Sequence, residues 1–349
     1  MASNADAAPG KLTPDDSRVV HHTLLVRGKT YHYLLGNPAG GVSSTTTTVV
    51  LVHGWPDLAF GWRYQVPFLQ ALGMRVVVPD MLGYGRTDAP EPIEPYSYKS
   101  VVEDLAALAA HVAGPEQPVV LGGHDWGGAV VWRFALWRPE LTRAVFSVCT
   151  PYWQPLKTWV PREVLVETLL PNFRYQLQLA GPDVEAAVVG PEKLRRFLSS
   201  LFGGRGPNNE FGFSTEVGVV FENLNKIGPS PLLSAAEMDF YVDEYSRHDL
   251  HGPLNWYRNS RVNFEEEQEL VEQNRSRISA PSLLIVASKD KALPPAMSAG
   301  MGRFFDSLVK EEVNTNHWAL WEAPQEVNGH IGKFLADVLK ADKGPKASI

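Results

Sequence analysis

An aspartate lies between glycines in the stretch LGGHDWGGA, directly after an apolar run. Gly123 lies two residues before Asp125, and Gly127 lies two residues after it. This spacing is typical of a nucleophile elbow, the sharp strand-to-helix turn that holds a nucleophile above the end of a strand. The alternative is that Asp125 caps the helix that follows, a position in which aspartate is common. The elbow also predicts that the backbone N–H of Trp126 points into the same site.

An acid and a histidine follow the elbow in the chain order that such a nucleophile requires. Asp290 ends the apolar run PSLLIVASKD, and His317 stands in a loop after the strand-like run VKEEVN. Either residue by itself could be an ordinary loop residue, but their order and surroundings agree with the elbow. The three residues together predict a catalytic triad of Asp125, Asp290 and His317.

The stretch HGWPD, which begins at His53 after an early apolar run, predicts a second hydrogen-bond donor for an oxyanion. The backbone N–H of Trp55 is the candidate, and it would act together with that of Trp126. Pro56 would fix the turn, and a cis peptide bond is one way to do so. Gly54 and His53 complete the motif, and the histidine would orient the loop by hydrogen bonding.

A carboxylate nucleophile selects a different electrophile from a serine. A serine attacks an sp² acyl carbon after a histidine removes its proton, whereas an ionised aspartate can displace a leaving group at an sp³ carbon directly. Asp125 would then carry an alkyl ester, and His317, aligned by Asp290, would activate the water that hydrolyses it. The sequence therefore predicts an epoxide or an alkyl halide as substrate.

These residues need a rigid support, and the chain predicts one. Short apolar runs alternate with helical patterns on both sides of the elbow, which indicates a parallel α/β sheet. The alternation stops after residue 151, and short helical patterns there predict an inserted helical domain. The predicted segments are a flexible N-terminus (1–16), the first part of an α/β core (17–151), a helical cap (152–252) and the second part of the core (253–349).

Five motifs carry a resemblance to the soluble epoxide hydrolases of the α/β-hydrolase superfamily, and above all to fungal members. The resemblance implies an α/β-hydrolase fold, in which a mostly parallel eight-stranded sheet is flanked by helices and a helical cap is inserted. One departure is Asn316, where many members have glycine. The motifs are HGWPD (53–57), GGHDWGGAV (122–130), GPLNWYRN (252–259), SKD (288–290) and NHWALWEAP (316–324).

The resemblance also implies two cap tyrosines that bind and protonate the epoxide oxygen as the ring opens. Tyr257 in NWYRN and Tyr175 in NFRYQLQL match these two positions. A buried packing role is the alternative for each. With Trp126, the two tyrosines are the predicted substrate-binding residues. The predicted reaction converts an uncharged lipophilic epoxide and water into a vicinal diol, without a metal or another cofactor.

Three other functions are weighed against this one. A haloalkane dehalogenase would use the same triad and would hold halide through the N–H groups of Trp55 and Trp126, but the tyrosine pair argues against it. A fluoroacetate dehalogenase would need an arginine at the position of Trp126 to hold a carboxylate. A binding protein on the same scaffold would usually have lost some of the catalytic residues, and all of them are present.

Composition narrows the class of protein further. The 349 residues carry a net charge of −7 and no basic stripe, which argues against nucleic acid as a partner. No apolar run approaches the ~18 residues that a membrane-spanning helix needs, and the first residues do not resemble a signal peptide. The single cysteine, Cys149, excludes an intramolecular disulfide and is expected to be a buried thiol. These features predict a cytoplasmic enzyme that acts as a monomer or a homodimer.

Overall fold

A computed structural model describes residues 10–341 of the chain. The apolar runs of the sequence form its strands, because their β-branched residues suit an extended backbone that is buried between layers of helices. The described strands are β1 (Val20–Val26), β2 (Lys29–Gly36), β3 (Thr48–Val52), β4 (Arg75–Pro79), β5 (Val119–His124), β6 (Thr142–Val148), β7 (Phe213–Ser214), β8 (Gly218–Val219), β9 (Ser282–Ala287) and β10 (Leu308–Val313).

Eight of these strands form one sheet in the order β1-β2-β4-β3-β5-β6-β9-β10. The pairs β1–β2 and β2–β4 are antiparallel, and every other neighbouring pair is parallel. The predicted mostly parallel eight-stranded sheet is confirmed. The strands β3, β5 and β9 are buried along their whole length, which explains their continuous apolar sequences.

The order of the strands decides where a site can form. The chain leaves β3 to one side for β4 and returns to the other side for β5, so the order reverses at β3. At such a switch point, the loops that follow the two central strands diverge and leave a crevice at the carboxyl edge of the sheet. The segments after β3, β5, β9 and β10 all lie at this edge.

Helices cover both faces of the sheet, and none of those within residues 10–341 is long and apolar enough to cross a bilayer. Their bounds are α1 (Gln65–Ala71), α2 (Tyr98–Ala113), α3 (Trp126–Trp137), α4 (Arg162–Thr168), α5 (Tyr175–Ala180), α6 (Asp183–Ala187), α7 (Pro191–Leu201), α8 (Phe221–Leu224), α9 (Ala235–Tyr245), α10 (His251–Arg258), α11 (Ser260–Glu272), α12 (Ala319–Glu322) and α13 (Pro324–Ala341).

The segment between β6 and β9 contains short helices and the hairpin β7–β8, where the sequence predicts a helical insertion. Within this segment α10 packs against α5, and α11 packs against α2 of the core. Residue 252, which the sequence predicts as the end of the cap, lies inside α10. The packing of α10 on α5 is what brings the two candidate tyrosines, Tyr175 and Tyr257, to one place.

Part of the predicted flexible N-terminus, residues 1–9, lies outside the described residues. Residues 10–16 contact the core, unlike the flexible segment that the sequence predicts. Leu12 is buried, and its backbone N–H donates to the carbonyl oxygen of Arg63 at 2.8 Å. The ammonium group of Lys11 pairs with the carboxylate of Glu237 on α9, also at 2.8 Å.

Candidate active site

Asp125 occupies the turn between β5 and α3 in a conformation that few side chains adopt. Its φ is +53° and its ψ is −124°, outside the ordinary helical and extended regions. The residue stands at the N-cap position, but its side chain makes no capping hydrogen bond to the second or third residue of α3. Its carboxylate accepts a hydrogen bond from the backbone N–H of Trp55 on a different loop, as an elbow predicts, and does not act as a cap.

Glycines make this turn possible because several backbones meet within contact distance. A Cβ at Gly123 would overlap the carbonyl group of Gly127, and a Cβ at Gly127 would overlap the carbonyl oxygen of Val52. A Cβ at Gly54 would overlap the carboxylate of Asp125 itself. The three glycines therefore allow β3, β5 and α3 to approach one another closely enough to seat Asp125.

Replacing Gly127 with alanine is expected to lower the free energy of unfolding by about 3 kcal/mol, because the backbone of β3 cannot move away without breaking the sheet. Thermal or denaturant unfolding would measure the change. Gly329 in α13 is a matched control, since no atom lies within 4 Å of a Cβ there. Gly329→Ala should stabilise the helix by about 1 kcal/mol or less. Unchanged stability of Gly127→Ala would show that the elbow is not tightly packed.

Two backbone N–H groups converge on the carboxylate of Asp125. The N–H of Trp55 donates to its Oδ1 at 2.8 Å, and the N–H of Trp126 also hydrogen-bonds this carboxylate. The Trp55–Pro56 peptide bond is cis. The structure thus brings both predicted oxyanion donors to the carboxylate of the candidate nucleophile.

His53 holds the loop that carries Trp55. Its Nε2 accepts a hydrogen bond from the N–H of Met81 at 2.9 Å, so its Nδ1 is the nitrogen that donates to the carbonyl oxygen of Gly54, at 2.8 Å. Burial lowers the pKa of His53 to about 4, which keeps the ring neutral as this arrangement requires. The predicted role of His53 in orienting the loop agrees with these contacts.

The structure brings together the three residues of the predicted triad. The Nδ1 of His317 lies 2.8 Å from the Oδ2 of Asp290, and its Nε2 lies 3.6 Å from the Oδ2 of Asp125. The Oδ1 of Asp290 accepts hydrogen bonds from the N–H groups of Ala292 and Leu293, at 2.8 and 2.9 Å. Asp290 is therefore held from its own loop and orients the imidazole toward Asp125.

The protonation states of the triad follow from this geometry. Burial raises the pKa of Asp125, although the charge of His317 and the N–H groups of Trp55 and Trp126 oppose the increase. Burial also disfavours the charged form of His317, but the carboxylates of Asp290 and Asp125 outweigh it and raise its pKa to about 9. The imidazole is therefore charged at neutral pH in the free protein.

His124 and Cys149 support the backbone of His317. The Nε2 of His124 lies 2.9 Å from the carbonyl oxygen of His317, and the thiol of Cys149 donates to the same oxygen at 3.4 Å. These three side chains are also the one group in the described residues with ligand atoms close enough to share a metal ion. Burial raises the pKa of the thiol, which disfavours the thiolate that a metal needs.

The two candidate tyrosines lie side by side. Tyr175 begins α5, Tyr257 lies on α10, and their ring centroids are 6.2 Å apart. The ring of Tyr257 packs edge-on against Trp126 at 5.2 Å and against Trp55 at 5.5 Å, which places it beside the oxyanion donors. Burial raises the pKa of both phenols, so both are protonated at neutral pH.

The sequence assigned no role to Asp57 or Tyr241, which together join the Trp55 loop to the cap. The hydroxyl of Tyr241 on α9 donates to the Oδ1 of Asp57 at 2.6 Å, and the N–H of Leu58 donates to the same atom at 2.8 Å. Burial raises the pKa of Asp57 to about 7. The one signal in the sequence was that Asp57 ends the HGWPD motif. Its partner, Tyr241, lies 184 positions further along the chain, so the sequence did not show the contact.

A cavity of about 440 Å³ opens beside Asp125 and Trp126 and extends under α4. Aromatic side chains of the insertion line much of it, as the sequence predicts. Besides Asp125, three charged side chains also line this mostly apolar cavity. These are Arg133, Arg162 and Glu267.

Comparison with known proteins adds to this geometry. The family model described as alpha/beta hydrolase fold matches residues 47–324. Epoxide hydrolase srdG of Neurospora crassa is 43% identical over 342 residues, which are 95% of this chain and 100% of that protein. The chain belongs to the epoxide hydrolase family of α/β-hydrolases. It is therefore a hydrolase, and the predicted resemblance, including that to fungal members, is confirmed.

Other members of this α/β-hydrolase family match over most of their length. Epoxide hydrolase A of Mycobacterium tuberculosis is 31% identical, with 82% of this chain and 89% of that protein covered. The crystal structure of epoxide hydrolase A from Mycobacterium thermoresistibile has a TM-score of 0.76 at 29% identity, with 91% of this chain and 98% of that chain covered. The cap and the core are thus both shared with solved epoxide hydrolase structures.

Proposed function

We propose that this α/β-hydrolase converts lipophilic epoxides to vicinal diols through a covalent ester on Asp125. The observation that carries the proposal is the position of two buried, protonated tyrosines beside a carboxylate that already touches two oxyanion donors. The names of the relatives support an epoxide as substrate. Epoxide and water are the only reactants that the site needs.

In the first step the Oδ2 of Asp125 attacks a ring carbon and the carbon–oxygen bond of the epoxide breaks. The Oδ1 of Asp125 remains on the N–H of Trp55, which leaves Oδ2 free for the attack. A phenol of Tyr175 or Tyr257 transfers its proton to the departing oxygen. Because burial raises the pKa of both tyrosines, the phenolate recovers a proton, by way of water, from the more acidic imidazolium of His317.

In the second step neutral His317 removes a proton from water, and the hydroxide attacks the Cγ of Asp125. Negative charge develops on Oδ1, where the N–H groups of Trp55 and Trp126 stabilise it. The ester bond breaks, and the diol alkoxide takes the proton of the new carboxyl group. The cycle ends with an ionised Asp125 and a charged His317, as it began.

A direct test gives the purified protein styrene oxide and, separately, 1-bromohexane. We expect phenylethanediol from the epoxide and no bromide from the haloalkane. The double variant Tyr175→Phe, Tyr257→Phe should lose about 10²-fold or more in kcat/KM for styrene oxide, because no proton donor remains for the alkoxide. Chromatography of the diol and a halide assay would measure both results.

Tyr33→Phe is a matched control, because Tyr33 is a buried tyrosine of β2 that is far along the sheet from β5. It should leave diol formation unchanged. Bromide release without diol formation would instead favour a haloalkane dehalogenase. Full diol formation by the double variant would remove the tyrosines from the mechanism, and turnover of neither substrate would favour a binding protein.

A further inference from the structure

Of the three charged side chains that line the cavity besides Asp125, two form an ion pair with each other and the third does not. Arg133 and Glu267 form a two-pronged ion pair, with Nε–Oε1 at 2.6 Å and Nη2–Oε2 at 3.3 Å. Their charges cancel within the wall. The third charged residue, Arg162, lies at the start of α4 and lines the same cavity.

Arg162 has no carboxylate within ion-pair distance among residues 10–341. Its Nη1 donates to the carbonyl oxygen of Tyr257 at 2.6 Å, and its other N–H groups have no acceptor in the described part of the chain. The other deeply placed arginines are paired, with Arg63 on Glu237 and Arg258 on Glu185. Arg162 thus differs from these arginines, because no carboxylate in the described residues pairs with its charge.

The guanidinium of Arg162 is half-buried, and the protein satisfies only part of it. A guanidinium has five N–H donors, so several remain available to an acceptor in the cavity that Arg162 lines. Burial lowers the pKa of Arg162, whereas the pKa of Arg133 is raised, since Glu267 outweighs the same effect of burial there. An anionic acceptor on a ligand in the cavity would satisfy these donors and stabilise the charged guanidinium.

We propose that Arg162 binds a carboxylate on the substrate, so that the enzyme prefers lipophilic epoxides that carry an acid group away from the ring. The inference rests on the proposed function. A carboxylate matches the fork of a guanidinium and can accept two parallel hydrogen bonds. A substrate with such an acid group would differ from the uncharged epoxide that the sequence predicts.

The position of Arg162 decides where that acid group would lie. The guanidinium touches the backbone of Tyr257, whose ring reaches Trp126 and Trp55 beside Asp125. The acid group would thus bind near the backbone of Tyr257 and the epoxide near its ring. Several bonds would therefore separate the two groups in the substrate. The absence of an arginine at position 126 disfavours a carboxylate on the reacting carbon, but it does not bear on one at this distance.

Binding can be measured without turnover. We expect 4-ethylbenzoate to bind the wild-type protein at least about 10-fold more tightly than 4-ethylbenzamide, by titration calorimetry. Arg162→Met should remove this difference, and Arg162→Lys should retain part of it. Arg195→Met is the matched control, because Arg195 is an exposed cap residue that pairs with Asp239, and it should behave as wild type. Equal affinity of the wild type for both compounds would overturn the proposal.

Turnover gives the second readout, with 4-(oxiran-2-yl)benzoate and its methyl ester as a matched pair. Arg162→Met should lower kcat/KM for the acid about 10-fold or more, mainly through KM, and leave the ester unchanged. Equal losses for both would show that Arg162 only supports Tyr257, and would overturn the proposal. Carboxylate binding that depends on Arg162, with neither epoxide hydrolysed, would support the binding site and overturn the epoxide hydrolase function.

Discussion

Asp125→Asn is expected to abolish diol formation, with a loss of at least about 10⁴-fold in kcat/KM, while the protein remains folded. The amide has no anionic oxygen that could attack an sp³ carbon. It has the size of the carboxylate, and its oxygen can still accept the N–H of Trp55, so the elbow keeps its geometry. Diol formation from styrene oxide and circular dichroism would measure the two results.

The same variant should be at least as stable as the wild type at neutral pH. Burial raises the pKa of Asp125, so ionisation of this group costs stability once the pH exceeds the pKa of an unfolded aspartate. Asparagine removes that cost. Thermal unfolding would test this expectation, and a large fall in the midpoint would contradict it.

Asp337→Asn is the control, because Asp337 is exposed on α13 and should affect neither activity nor stability. Appreciable, lasting turnover by Asp125→Asn would show that another group is the nucleophile. Reaction in ¹⁸O-labelled water gives a second check. In the first turnover the label should enter Asp125, and the diol should carry an unlabelled oxygen from its carboxylate.

His317→Gln is expected to stop the reaction after one chemical step. Asp125 should still attack the epoxide, but no base remains to activate the water, so the ester should accumulate. Intact-mass spectrometry should show a gain equal to one substrate molecule, located on the peptide that contains Asp125. His111→Gln, on the exposed side of α2, should turn over normally and form no adduct.

The pH dependence of ester hydrolysis in the wild type follows from the charges around His317. Although burial opposes its charge, Asp290 and Asp125 raise its pKa to about 9 in the free protein. Esterification removes the charge of Asp125, so the pKa of His317 must fall in the intermediate. Hydrolysis should therefore slow as the pH falls through a midpoint below about 9, in single-turnover measurements. A midpoint above that value, or no adduct with His317→Gln, would remove His317 as the base.

The elbow could be predicted from sequence because its geometry is local. Gly123 and Gly127 each lie two residues from Asp125, so the glycines that the turn requires can be read directly from the sequence. The positions of Asp290 and His317 could be predicted because parallel strands end at one edge of a sheet. Apolar runs indicate those strands, so residues that follow them meet there.

The cap was harder to predict, because its short helices have weak sequence patterns. The sequence located the insertion, and the family resemblance supplied Tyr175 and Tyr257. The contact of α10 with α5, which places these two tyrosines 6.2 Å apart, depends on how the helices pack. The sequence also did not show that residue 252, the predicted end of the cap, lies inside α10.

By itself, the sequence determined the candidate nucleophile, its candidate partners and the sheet that carries them, because each is encoded by a local pattern or by the order of elements. Only the tertiary structure decided which charged and polar side chains are paired. Asp57 meets Tyr241 and Arg133 meets Glu267 across 184 and 134 positions, whereas Arg162 meets no carboxylate in the described part of the chain. Ion pairs and hydrogen bonds act over a few ångströms, and distances between remote residues exist only once the chain has folded.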